Sequence, residues 1–204
     1  MVKGRMEAFS DGVIAVIITI MVLELKAPHG HELADLRPLI PVFLSYVMSF
    51  VFLSIYWNNH HHLFQAVRHV NGPILWANAN LLFWLSLIPF VTSWMGENHF
   101  ESLPVALYGM VLLCSGIAYT ILARVLIRHH GPDSDLAKAM GANLWGDRKG
   151  YASVVLYAIA IPCAFAKPWI SGLLYATVTA IWLIPDRRIE RVLGRGQRNG
   201  GPGE

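Results

Sequence analysis

Residues 5–25 read RMEAFSDGVIAVIITIMVLEL, and the fold turns on whether they form one continuous helix. From Gly12 to Leu23 the stretch is apolar and rich in β-branched side chains, but it is only 12 residues long. A bilayer span takes about 20 residues. Spanning length is reached only when Asp11 is drawn into the helix. No small-residue cleavage site follows the apolar core, and no basic n-region directly precedes it, so the segment is expected to be a retained first span.

The rest of the chain supports a membrane setting. Of its 204 residues, 55% are hydrophobic and 14% charged. A soluble domain carries roughly 25% charged residues. Cys114 and Cys163 both sit in apolar segments and read as small buried hydrophobes, with no disulfide framework. There is no P-loop, GxGxxG, CxxC or HExxH, so a nucleotide- or zinc-dependent enzyme has no motif behind it.

Six apolar segments can be drawn, at about 6–26, 38–64, 73–95, 104–128, 150–167 and 169–185, separated by breakers such as AsnGlyPro at 71–73 and Lys167-Pro168. Together they predict an all-α, polytopic six-helix domain over residues 1–193, followed by a Gly-rich disordered tail at 194–204. With the N-terminus inside, 13 of the 16 Lys and Arg fall on the inner side, and only Lys26, Arg37 and Lys167 fall outside. This bias predicts cytoplasmic N- and C-termini. No internal duplication relates the first and fourth spans, which weighs against an inverted-repeat carrier.

A helical wheel separates the acid from the apolar run. At 100° per residue with Asp11 at zero, Val16, Ile20 and Leu23 fall at about 140°, 180° and 120°. Gly12 and Thr19 flank this stripe, whereas Glu7 lies on the side of Asp11. An acid at membrane depth is costly unless it is paired. Candidate partners are His60, His61 and His62 at the end of the second span, and Asn78 and Asn80 in the third. The simpler alternative is that Ser10 or Asp11 caps a helix start. The simpler alternative for the stripe is ordinary helix packing. Consecutive histidines on a helix diverge by about 100°, so the three cannot share one metal ion, and a hydrogen-bonding network is the expected role.

Four stretches, in order, carry a resemblance to a known family. Arg5-x-x-x-Phe9-Ser10-Asp11 with the following GlyValIleAlaValIleIleThr resembles the signature of the transmembrane protein 175 family, the lysosomal-type potassium channels and their prokaryotic homologues. Trp57-x-x-His60-His61-x-x-Phe64, Asn80-Leu81-Leu82 running to Pro89-Phe90, and Trp182-Leu183-Ile184-Pro185 resemble the same family. The resemblance implies a homotetramer whose first helices line the pore, without a TVGYG loop, and the sequence has none. It implies pore and gate positions at Val16, Ile20 and Leu23, with Thr19 as a polar neighbour. Arg5, Phe9, Ser10, Asp11, Trp57, His60, His61 and Asn80 are implied as a structural network. Val16 departs from the Ile or Leu of many relatives, so the narrowest ring is expected at Ile20 or Leu23.

The expected function is passive conduction of potassium or other monovalent cations through a hydrophobic constriction. The expected setting is a multi-pass protein in a cell membrane of the bacterial inner-membrane type, among lipids. No catalytic residue, metal, cofactor beyond the permeant K+, or nucleic-acid partner is expected. The alternative is a proton channel or proton-coupled carrier using Asp11 and the histidine cluster. A small-substrate membrane enzyme using the same residues is the reading from another class.

Overall fold

Long apolar runs punctuated by proline and glycine give helices whose ends follow those breakers. The computed structural model describes residues 3–65, 67, 69–131, 134, 137 and 148–183, and all regular structure among them is helical. The 194–204 tail and the Ile184-Pro185 end of the sixth span lie outside the described residues.

Helix α1 (Lys3–Leu23) runs through Ser10 and Asp11 without interruption. Neither residue caps a helix start; both lie about two turns inside. Its buried residues are Met6, Ser10, Ile14, Ile17 and Met21, one helical stripe. A short 3₁₀ helix over Leu33–Leu39 is opened by the Asp35 carboxylate, which accepts from the Glu32 backbone N–H at 3.0 Å. It leads directly into α2 (Ile40–Gln65).

The third span differs from the single helix expected over 73–95. It is divided into α3 (Gly72–Ser86) and α4 (Ile88–Glu97), joined at Leu87. Pro89 is the physical cause, since it has no N–H to donate and its ring crowds the carbonyl four residues back. At the other end, Asn71 caps α3 by accepting from the Ile74 N–H at 3.1 Å, and Pro73 occupies the first turn, where a missing N–H costs nothing.

Helix α5 (Ser102–His130) is the longest and is closed by Gly131 at φ 87°. Helices α6 (Arg148–Ala166) and α7 (Pro168–Leu183) form a hairpin with Lys167 alone between them. Five helical stretches are long and apolar enough to cross a bilayer, and Pro168–Leu183 is a shorter sixth. The six expected spans are therefore present.

Helix α5 is the hub: α3, α4, α6 and α7 pack on it, while α1 lies against α2, α3 and α4. Helix association in lipid relies on close packing and hydrogen bonds more than on burial of apolar surface. Both devices are present. A Cβ at Gly109 would overlap the Tyr175 hydroxyl, which donates to the Val105 carbonyl at 3.1 Å, so α7 reaches α5 only because position 109 lacks a side chain. The Ser49 hydroxyl lies 2.7 Å from that of Thr92 and 3.0 Å from that of Tyr108, joining α2, α4 and α5 in the core.

Candidate functional site: the first helix and its fastening

The periodicity of α1 gives it two unlike sides. One side carries the buried stripe and is fastened to α2 and α3. Asn78 of α3 is its central residue. The Asn78 carboxamide donates to the Ser10 hydroxyl at 2.9 Å, and Ser10 donates to the Met6 carbonyl at 2.9 Å within α1. The Asn78 oxygen lies 2.8 Å from His60 Nε2, which fixes that nitrogen as the donor. Ser10, His60 and Asn78 are all buried. The His60 ring also sits 4.5 Å from Phe64, centroid to centroid.

Asp11 is held separately. Trp57 Nε1 donates to Asp11 Oδ1 at 3.0 Å, and the Trp57 indole stacks on His61. The expected attachment of Asp11 to the histidine end of the second span thus holds at the level of the helix, but the partner is Trp57 rather than a histidine. The three histidines diverge, as consecutive helical residues must. His60 is buried in the chain described above, exposed His61 lies 2.8 Å from the Gln65 amide, and His62 is half-buried with no hydrogen bond to its Nδ1 among the described residues.

The expected network is therefore only partly joined. Ser10, Asp11, Trp57 and His60 take part, and His61 is linked through its stack on Trp57. Asn80 is exposed, and its place is taken by Asn78, two residues earlier and about 200° around the helix. Arg5 and Phe9 are also exposed, without a hydrogen bond or ion pair among the described residues. On the wheel they fall at about 120° and 160°, with Val16 and Ile20, so they cannot reach the fastened side. The ion pair near Arg5 is made by Lys3 with Glu7, at 3.7 Å.

The other side of α1 is uncovered. Val16, Ile20 and Leu23 are 55%, 43% and 77% exposed, far above the buried Ile14 and Ile17 on the same helix. Exposed Thr19 donates its hydroxyl to the Val16 carbonyl at 2.9 Å, leaving its oxygen lone pairs free to accept. Beside this side runs an open groove of about 840 Å³. Phe9, Gly12, Val16 and Ile20 form one wall, and Ser86, Pro89 and Phe90 at the α3–α4 break form the other. The break therefore has a consequence: it sets an apolar corner against the middle of α1.

Two features of this region had no clear sequence signal. Trp57 as the partner of Asp11 lies 46 residues away on another helix. Choosing Asn78 over Asn80 needs the rotation of α3, which the ANAN repeat leaves open.

Comparison with known proteins identifies relatives of the chain. The family model described as Endosomal/lysosomal potassium channel TMEM175 matches residues 5–89. A potassium channel of Chryseobacterium sp. (strain P1-3) is 55% identical over 193 residues, covering 95% of this chain and 98% of that protein. The crystal structure of a lysosomal potassium-selective channel TMEM175 homolog from Chamaesiphon minutus superposes with a TM-score of 0.75 at 26% identity, covering 90% of this chain and 97% of that one. The zebrafish endosomal/lysosomal proton channel TMEM175 is 25% identical over 132 residues, which cover 24% of its length. The family is one of ion channels, not of enzymes, and the helices here make the chain a multi-pass membrane protein. The chain belongs to the TMEM175 channel family.

Proposed function

We propose that the chain is one subunit of a homotetrameric, potassium-permeable channel whose pore is lined by the uncovered side of α1. The observation that carries this reading is the division of that helix. Its buried stripe is hydrogen-bonded to α2 and α3, while Val16, Ile20 and Leu23 project from the opposite side into open space. Around a fourfold axis these residues form stacked apolar rings. Such rings cannot replace an ion's hydration shell, so they close the pore by dewetting and open it when the first helices separate or turn. The groove beside α1 is a natural seat for the neighbouring copy, since a large apolar surface of this kind marks an interaction site.

Asp11 and His60 act as positioning residues in this mechanism. Their hydrogen bonds point to Trp57 and Asn78, not toward the rings. This geometry favours cation conduction over proton transfer through the acid and the histidines. The permeant ion is the only non-protein component the mechanism requires. With both termini cytoplasmic, the basic ends face the inner leaflet of a cell membrane of the bacterial inner-membrane type.

The test is ion flux into liposomes carrying purified protein, with potassium, sodium and proton gradients compared. The expected result is potassium flux that rises in Ile20→Asn and Leu23→Asn as the rings become wettable. Flux that saturates like a carrier's, or is unchanged by both substitutions, contradicts the pore assignment.

A further inference from the structure

A second and partly enclosed cavity of about 50 Å³ lies between α2, α5, α6 and α7. Phe52, Tyr56 and Asn59 of α2 form one wall; Gly116, Tyr157 and Trp182 contribute from the other three helices. Gly116 leaves this space open, since a Cβ there would meet only the Tyr56 hydroxyl, at 3.7 Å.

Most polar groups around the cavity are already engaged. Trp182 Nε1 donates to the Ser153 hydroxyl at 2.8 Å, and Ser153 donates to the Lys149 carbonyl at 2.7 Å. The Tyr119 hydroxyl donates to the Asn59 backbone carbonyl at 3.4 Å. The Tyr56 hydroxyl and the Asn59 side-chain amide are different: among the described residues neither has a hydrogen-bond partner. Neither group is fully enclosed by the packing, and both residues line the cavity. An unpaired phenol and amide within a membrane span are costly unless something occupies the space beside them.

The walls narrow the chemistry of that occupant. Among the described residues no Asp, Glu, Lys, Arg or His lines the cavity, so a charged head group would find no counter-charge in these walls. The aromatic faces of Phe52, Tyr157 and Trp182 offer an apolar seat. One water needs about 10–15 Å³ of such space, so a cavity of about 50 Å³ limits the occupant to a small molecule. We infer that this cavity is a binding site for a small neutral amphiphile, with a hydroxyl-type head hydrogen-bonded to Tyr56 and Asn59 and its apolar end against Phe52, Tyr157 and Trp182. Trp57 and His60 are not among the residues that line the cavity, although His60 stands one turn from Tyr56 on α2, so the site adjoins the fastening of α1 without sharing its side chains.

The test uses 2-bromoethanol as the probe and reads binding, independently of ion flux. Crystals of the full chain soaked in the probe are expected to show bromine anomalous density in the cavity. Thermal melting in detergent titrated with the probe gives its affinity. Tyr56→Phe keeps the ring and removes only the hydroxyl, so it should bind about fivefold more weakly, the equivalent of about 1 kcal/mol for one hydrogen bond. Gly116→Leu, which fills the space, should abolish binding. Absence of bromine density from the wild-type cavity, ordered water alone at Tyr56 and Asn59, or equal affinity in wild type and Tyr56→Phe would each overturn the inference.

Discussion

The indole N–H of Trp57 donates to the Asp11 carboxylate at 3.0 Å, at the edge of the uncovered side of α1. One residue earlier in α1, Ser10 and Asn78 form the buried counterpart of this bond. The two contacts bracket the helix between α2 and α3 near one end and leave its Val16, Ile20 and Leu23 side without cover. A helix pinned on one side and open on the other can line a passage while keeping its register.

Trp57→Phe should remove the Asp11 contact while keeping most of the packing. The bond is exposed in the subunit, so its loss should cost about 1 kcal/mol, below the range for buried bonds to charged groups. Thermal melting in detergent reads the loss of stability, and liposome flux reads the altered hold on α1. An unchanged melting temperature together with unchanged flux would show that Asp11 is not held through Trp57.

Asn78→Leu should be far more damaging than Asn80→Leu. The first leaves the Ser10 hydroxyl and His60 Nε2 without their partner in a buried site, at a cost of about 1–3 kcal/mol. The second alters an exposed side chain with no hydrogen bond among the described residues. Comparing folded yield and melting temperature of the two variants checks the assignment, and the reverse order would refute it.

Gly109→Ala should destabilise the chain by about 1–3 kcal/mol, because the new methyl overlaps the Tyr175 hydroxyl and drives α7 from α5. Gly116→Ala should be tolerated, since its methyl makes only an ordinary 3.7 Å contact. Both glycines lie in one apolar span, and only packing distinguishes them. Melting temperatures of the pair in detergent provide the comparison.

Ser49→Ala should cost about 0.6–1.7 kcal/mol, the range for hydrogen bonds between membrane helices. It separates Thr92 and Tyr108 from the hydroxyl they share. The change lies away from Val16 and Ile20, so melting temperature should fall while the ratio of potassium to sodium flux stays the same.

The six spans were legible because apolar runs of membrane length are a strong signal, and the stripe of α1 was legible because helical geometry fixes the angles between its residues. The break at Leu87 had its cause in view at Pro89, yet a proline inside a long apolar run is compatible with either a kinked or a divided helix. Asn78 and Asn80 lie on different sides of one helix, and the sequence carries no mark of which side meets α1. The Ser49, Thr92 and Tyr108 cluster was hidden for a related reason. Single hydroxyls scattered through apolar spans have no periodicity, and they become a group only when three helices pack. The same holds for the Tyr56 and Asn59 cavity, whose emptiness depends on a glycine from another helix.

The claim that Val16, Ile20 and Leu23 face the ion path is tested most directly by placing a thiol on each side of α1 and applying Cd²⁺ during potassium flux. Ile20 is 43% exposed and Ile17 is 4% exposed, so one helix supplies both the test and its control. Ile20→Cys should be blocked by Cd²⁺, because four thiols around one axis make a metal site, while Ile17→Cys and the wild type, with its native Cys114 and Cys163, should conduct unchanged. Block of Ile17→Cys with Ile20→Cys left conducting would place the path on the opposite side of the helix and contradict the account.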